Sequence, residues 1–174
     1  MPSVVKRQKK VLSLIVGIFL VGSQPAEQVQ ASITRADKVV VIKSERVMKL
    51  LKEGTVVKSY EIALGKEPVG AKAQKGDKKT PEGTYILDRR NSNSKFYRSI
   101  HVSYPNRSDL ENAQKYGVSP GGDIMIHGLP KGLERVGELH TLINWTKGCI
   151  AVTNAQMDEI WQMVPVGTPI EIQP

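Results

Sequence analysis

The chain has a single cysteine, Cys149, in the stretch NWTKGCIAVTN at 144–154, between a glycine and an apolar run. A thiol attacks a carbonyl only as thiolate, so chemistry there needs a base within reach and donors for the developing oxyanion. Three histidines could serve as base: His101, His127 and His140. His127 is the best placed, because it ends the short apolar strand IMIH and is followed by Gly128, which stands its ring at a sheet edge. His101 falls inside an alternating strand segment and reads as a satisfied structural side chain. His140, nine residues before the cysteine, reads as surface or loop. Around Cys149, the amides of Lys147, Gly148 and Cys149 can converge on one oxygen, and Gly148 keeps a side chain out of the substrate's path. Thr146 can hydrogen-bond locally and fix the turn. Two other readings stand beside the nucleophile: an inert buried thiol and an intermolecular bridge.

The elements that must hold these residues read mostly as strands with tight turns. KVVVIKS (38–44), RVMKLLKEG (46–54) and TVVKSYEIALG (55–65) carry the partial alternation of half-buried strands. The lysine-rich 66–83, with two prolines and three glycines, reads as a loop whose end, TPEGTYIL, turns into another strand. YRSIHVSYP (97–105) and GGDIMIHG (121–128) are further strand candidates, and SDLENAQKYG (108–117) reads as a short helix capped by Ser108 or Asp109. Residues 129–143 read as a loop with a helical turn, and GCIAVT (148–153) as a short buried strand. TNAQMDEIWQMV (153–164) begins with a cap and spaces Met157, Ile160, Trp161 and Val164 as the core stripe of an amphipathic helix. PVGTPIEIQP supplies a last strand. No repeat, domain break or metal-ligand cluster interrupts the pattern.

The first 31 residues read as an export signal. Lys6, Arg7, Lys9 and Lys10 precede an apolar run of 12 residues, Val11 to Gly22, which is short for a bilayer span. Val29-Gln30-Ala31 offers a small-residue cleavage site; an uncleaved N-terminal anchor is the alternative, and the only route to a membrane. Residues 32–174 then form one domain. The whole chain has a formal charge of +8; the leader holds four basic residues and one acid, so the remainder carries +5. Its lysines are scattered apart from KAQKGDKK at 72–79, which excludes the clustered basic patch of a nucleic-acid binder and suits an anionic cell-surface polymer.

A histidine-glycine pair closing a strand, an irregular insert, then Thr-x-Gly-Cys with a downstream asparagine resembles the L,D-transpeptidase catalytic (YkuD) domain family. The pieces here are IMIHG at 124–128 and TKGCIAVTN at 146–154, and KVVVIKSERVMKLLKEG, GDKKTPEGTYIL and PVGTPIEI extend the likeness over nearly all of residues 32–174. The resemblance implies a mostly β, sandwich-like fold with one or two short helices, and chemistry on peptidoglycan stem peptides without cofactor or metal. It implies that Cys149 forms a thioester at an L,D peptide bond, with His127 as base. The amides around Gly148 and Cys149 would be the oxyanion hole, and the Gly128 carbonyl would orient the imidazole. An amine acceptor then resolves the thioester, giving a cross-link or an attached wall protein. Exported, the protein would act in the periplasm or cell wall. A hydrolase on the same scaffold and a non-catalytic wall-binding module are the alternatives. Two positions depart from the family pattern: Lys147 stands where many members have histidine, and Ala151 where many have arginine.

Overall fold

The computed structural model describes residues 34–174, so the expected leader at 1–31 lies outside the described residues. Among the described residues eight strands form one sheet: β1 (Lys38–Ile42), β2 (Val47–Lys52), β3 (Thr55–Glu61), β4 (Gly83–Ser94), β5 (Tyr97–Val102), β6 (Met125–His127), β7 (Ile150–Ala151) and β8 (Thr168–Gln173). Their spatial order is β3-β2-β1-β8-β4-β5-β6-β7. Pairing is antiparallel except for β1 with β8 and β6 with β7. Beyond β3, Ala63 bridges Ala151 of β7, so the two outer strands of the sheet meet and the sheet curls around its own core. This mostly β, sandwich-like arrangement agrees with the fold class expected from sequence.

Alternation explains the inner face. Val39 and Val41, Met48 and Leu50, Tyr85 and Leu87, Ile100 and Val102, and Ile170 and Ile172 all point inward, each 5 % exposed or less. Helix α2 (Asn154–Met163) closes the core with Met157 and Ile160. Each such side chain contributes about 1.5–3 kcal/mol of burial. Thr153 caps α2 with a reciprocal capping box to Gln156. Trp161, expected in the core stripe, is only partly buried, because its ring faces the Arg90 and Arg98 guanidinium groups at 4.8 and 5.4 Å.

Several boundaries moved for identifiable reasons. The cap of α1 (Arg107–Lys115) is Asn106, not Ser108 or Asp109; Asp109 is the third helical residue and completes the capping box. Strand β4 runs seven residues past the apolar TYIL, since pairing with β5 satisfies the backbone while its polar side chains face water. The strand expected at 121–128 shortens to β6, because Gly121 and Asp123 hold φ of +81° and +55° and break the extended run. Residues Glu134–Leu142 form a 3₁₀ segment interrupted at Gly137, a third helical piece where sequence suggested a turn.

Candidate active site

Strands β6 and β7 lie side by side, with Ile126 opposite Ile150 and His127 opposite Ala151. Cys149 immediately precedes β7, two residues before Ala151. Strand alternation therefore turns the Cys149 and His127 side chains to the same face. Both line one cavity of about 280 Å³, with Asn91, Phe96, Ser99, Asp123 and Met125. Residues 22 apart in sequence become neighbours because a parallel pair needs a long crossover, supplied here by 128–149.

His127 is 3 % exposed. Its Nδ1 lies 2.7 Å from the Gly128 carbonyl oxygen. A carbonyl only accepts, so Nδ1 carries the proton and Nε2 keeps its lone pair for the cavity. Phe96 lies over the imidazole with ring centroids 4.4 Å apart, and Trp145 meets it edge-on at 5.8 Å. Burial pushes the imidazole down to about 4, against the favourable hydrogen bond to Gly128. Burial likewise pushes the Cys149 thiol above its ordinary value, and the nearby Asp123 charge adds to this. The thiol donates to the Asp123 carbonyl at 3.6 Å. Thiol and imidazole therefore both rest neutral near pH 7.

The turn before Cys149 is built by Thr146. Its Oγ1 accepts the Gly148 N–H at 3.0 Å and donates to the Cys149 carbonyl at 2.7 Å. Its backbone is stitched to the segment after β3 by Thr146 N–H to Leu64 O and Lys66 N–H to Thr146 O, both 3.1 Å. The Gly148 amide is thereby occupied, which removes it from the three donors that sequence placed around an oxyanion. The reason for glycine at 148 also differs from the expected one. A Cβ there would stand 2.6 Å from the Lys79 carbonyl oxygen, so the 66–83 loop, rather than a substrate, excludes a side chain. At Gly128 a Cβ would stand 2.5 Å from Asn154 Oδ1, the same oxygen that accepts the Leu129 N–H at 2.8 Å. Asn154, the downstream asparagine of the motif, thus anchors the chain just past His127 to the start of α2.

His140 is a correction to the surface reading. It is 5 % exposed, packed edgewise on Trp145 at 6.5 Å, because the 3₁₀ segment folds it inward under the exposed Leu139 and Leu142. His101 is held by Asp88 through Nδ1 at 2.6 Å. Lys147 is exposed and lines a neighbouring cleft with Lys72 and Lys75. Sequence reasoning did not single out Phe96, Trp145 or Asp123. The tryptophan directly before Thr146 and the glycine pair before Asp123 were the available signals, but their targets are distant in sequence.

The family of the L,D-transpeptidase catalytic domain, YkuD, matches residues 36–172. YafK of Escherichia coli (strain K12) is 29% identical over 130 residues, covering 71% of this chain and 45% of its own length. The crystal structure of the helical cell shape determining protein Pgp2 from Campylobacter jejuni superposes with a TM-score of 0.59 and 26% identity, covering 78% of this chain and 46% of that one. An L,D-transpeptidase from Mycobacterium smegmatis shares the fold at a TM-score of 0.52 and 16% identity, over 79% of this chain and 58% of that one. The chain spans about half the length of the YafK and Pgp2 proteins it matches. With the family match running from Ala36 to Ile172, the chain belongs to the YkuD family of L,D-transpeptidase catalytic domains.

Proposed function

We propose that this protein is a cysteine L,D-transpeptidase acting on peptidoglycan stem peptides. The observation that carries this reading is the shared cavity of Cys149 and His127, with the imidazole tautomer fixed by Gly128. Because both groups rest neutral, His127 Nε2 takes the thiol proton as Sγ attacks the peptide carbonyl, so charge develops only in the transition state. The amides of Lys147 and Cys149 are the donors left for the tetrahedral oxyanion once Gly148 is committed to Thr146. Collapse breaks the C–N bond, and the imidazolium returns its proton to the leaving amine. The resulting Cys149 thioester is attacked by an acceptor amine, which gives a proton to His127; the C–S bond breaks, and the imidazolium passes that proton to the leaving thiolate to restore the thiol. The acceptor would belong to a second stem peptide or to a wall-attached protein.

We place the reaction outside the cytoplasm, directed by the leader at 1–31. Among the described residues no helix is long and apolar enough to cross a membrane. Pgp2 of Campylobacter jejuni is a helical cell shape determining protein, and a part in wall remodelling follows by analogy here.

The test incubates the full chain and its Cys149→Ala variant with tetrapeptide-bearing muropeptides and follows products by mass spectrometry. Dimers or exchanged terminal residues that require Cys149 are expected. Shortened peptides without exchange would replace transfer by hydrolysis of the same thioester. Identical profiles for the two proteins would overturn the enzymatic reading.

A further inference from the structure

Transfer to an amine involves a proton that Cys149 and His127 do not handle. Lysine and α-amino groups titrate at about 10.4 and about 8, so an acceptor arrives near pH 7 largely as an ammonium ion. Its nitrogen then has no lone pair and cannot attack a thioester. Two protons must leave it, one before attack and one after. His127 takes the second and passes it to the Cys149 sulfur. The first needs another base.

A second histidine stands on the same face of the sheet. In the antiparallel pair of β5 and β6, Ser99 lies opposite His127 and His101 opposite Met125. Ile100 and its partner Ile126 fill the core, so Ser99, His101, Met125 and His127 share the outer face. His101 is thus the diagonal neighbour of His127, roughly 7–8 Å from it. It lines a cleft of about 200 Å³ that shares Asn91, Ser99, Asp123 and Met125 with the cavity of Cys149 and His127.

The surroundings of His101 suit a base. Its Nδ1 lies 2.6 Å from Asp88 Oδ1. A carboxylate only accepts, so Nδ1 donates, and the neutral ring keeps its lone pair on Nε2. Among the described residues Nε2 has no partner, and it is not sealed from solvent. Once protonated, the imidazolium remains paired with the Asp88 carboxylate. His127 has only the neutral Gly128 carbonyl in that position, so His101 is the histidine equipped to hold a positive charge. The other charged residues lining the cleft are Arg89, Arg90 and Asp123. Arg90 donates to the Val164 carbonyl and stacks on Trp161, while Arg89 lies 3.9 Å from Asp88. Asp123 stands in the wall common to both cavities and also lines the cleft of Lys72, Lys75 and Lys147.

We propose that His101, held by Asp88, is a second catalytic base, which takes a proton from the acceptor ammonium before it attacks the Cys149 thioester. The proton passes from the ammonium nitrogen to His101 Nε2, and the freed lone pair forms the new bond to the thioester carbon. The nitrogen then gives its second proton to His127, the C–S bond breaks, and that proton goes to the leaving sulfur. His101 returns its own proton to solvent. Asp88 is a positioning residue that fixes the ring.

This role rests on the proposed transpeptidation, and the test reads the two halves of that reaction separately. The full chain and its His101→Gln variant are mixed at pH 7 with tetrapeptide-bearing muropeptides. Mass spectrometry follows the released terminal amino acid, the protein's intact mass and the dimers. The first release, one per protein, should be equally fast in both. Dimer formation should fall about 10²-fold or more in His101→Gln, with thioester accumulating on Cys149. Raising the pH should narrow the gap, because solvent then supplies neutral amine. Methoxyamine is neutral at pH 7 and needs no base, so it should discharge the thioester equally in both proteins. Asp88→Asn should show a smaller deficit of the same kind. Equal dimer formation, a first release slowed as much as transfer, or a deficit that persists with methoxyamine would overturn the assignment. A thioester discharged only by water, at one rate in both proteins, would keep the nucleophile and remove the second base. A wild-type protein that forms no thioester would remove the transpeptidation itself, and the second base with it.

Discussion

Thr146 Oγ1 donates to the Cys149 carbonyl at 2.7 Å while accepting the Gly148 N–H at 3.0 Å, so one hydroxyl closes the turn that presents the thiol. Thr146 is 4 % exposed, and an unmade bond there cannot be replaced by water. Thr146→Val keeps the shape and removes both bonds, which should cost about 1–3 kcal/mol of stability and slow turnover. Thr146→Ser should restore most of both. Chemical denaturation with parallel activity measurements checks this; a valine variant as active as wild type would show that the hydroxyl does not set the thiol's position.

Two glycines should resist substitution for reasons internal to the protein. Gly148→Ala places a Cβ 2.6 Å from the Lys79 carbonyl at a φ of +127°, and the strain should destabilise by about 1–3 kcal/mol. Gly128→Ala meets Asn154 Oδ1 at 2.5 Å. That clash is with a side chain, so adding Asn154→Ala should recover part of the loss, although the Leu129 amide then lacks its acceptor. Thermal unfolding of the two single variants and the double variant distinguishes these cases, and strict additivity would contradict a direct clash.

The resting state of the thiol is a separate prediction. With Cys149 pushed up and His127 pushed down, no thiolate–imidazolium pair is present before substrate binds. The alkylation rate of Cys149 should therefore rise with pH around a midpoint above the ordinary thiol value. His127→Ala should leave that midpoint nearly in place while lowering turnover by about 10²–10⁴. A midpoint below neutrality, lost in His127→Ala, would mean a preformed ion pair.

Folding stability should carry the signature of the same histidine. The folded value of about 4 lies below the ordinary 6.5, so between these limits the unfolded chain binds more protons than the folded one. Stability should rise with pH across that window, and fall by on the order of 3 kcal/mol from its upper to its lower limit. His140, also lowered by burial, adds in the same direction. Urea unfolding at several pH values should show this slope, reduced in His127→Gln; an unchanged slope in that variant would assign the effect elsewhere.

Much of the fold was legible because it depends on near neighbours in sequence. Alternation marked the strands of 38–61 and 168–173, and Thr153 with Gln156 marked the start of α2. Cys149 and His127 stood out by residue type and surroundings, and their placement in one cavity follows from the register of β6 against β7. Where local pattern misled, a distant partner decided. The polar half of β4 is a strand because β5 pairs with it, and His140 is buried because the 3₁₀ segment turns it onto Trp145.

The sequence by itself determined a mostly β domain, one cysteine, and a histidine-glycine and threonine-glycine-cysteine pair of motifs, since periodicity and residue chemistry are local properties. Only the tertiary structure decided that Lys79 rather than substrate forbids a side chain at 148, that Gly148's amide belongs to Thr146, and that Asp123 stands where three clefts meet. Each of these depends on contacts between segments far apart in the chain, which exist only once the sheet has curled and its outer strands have met.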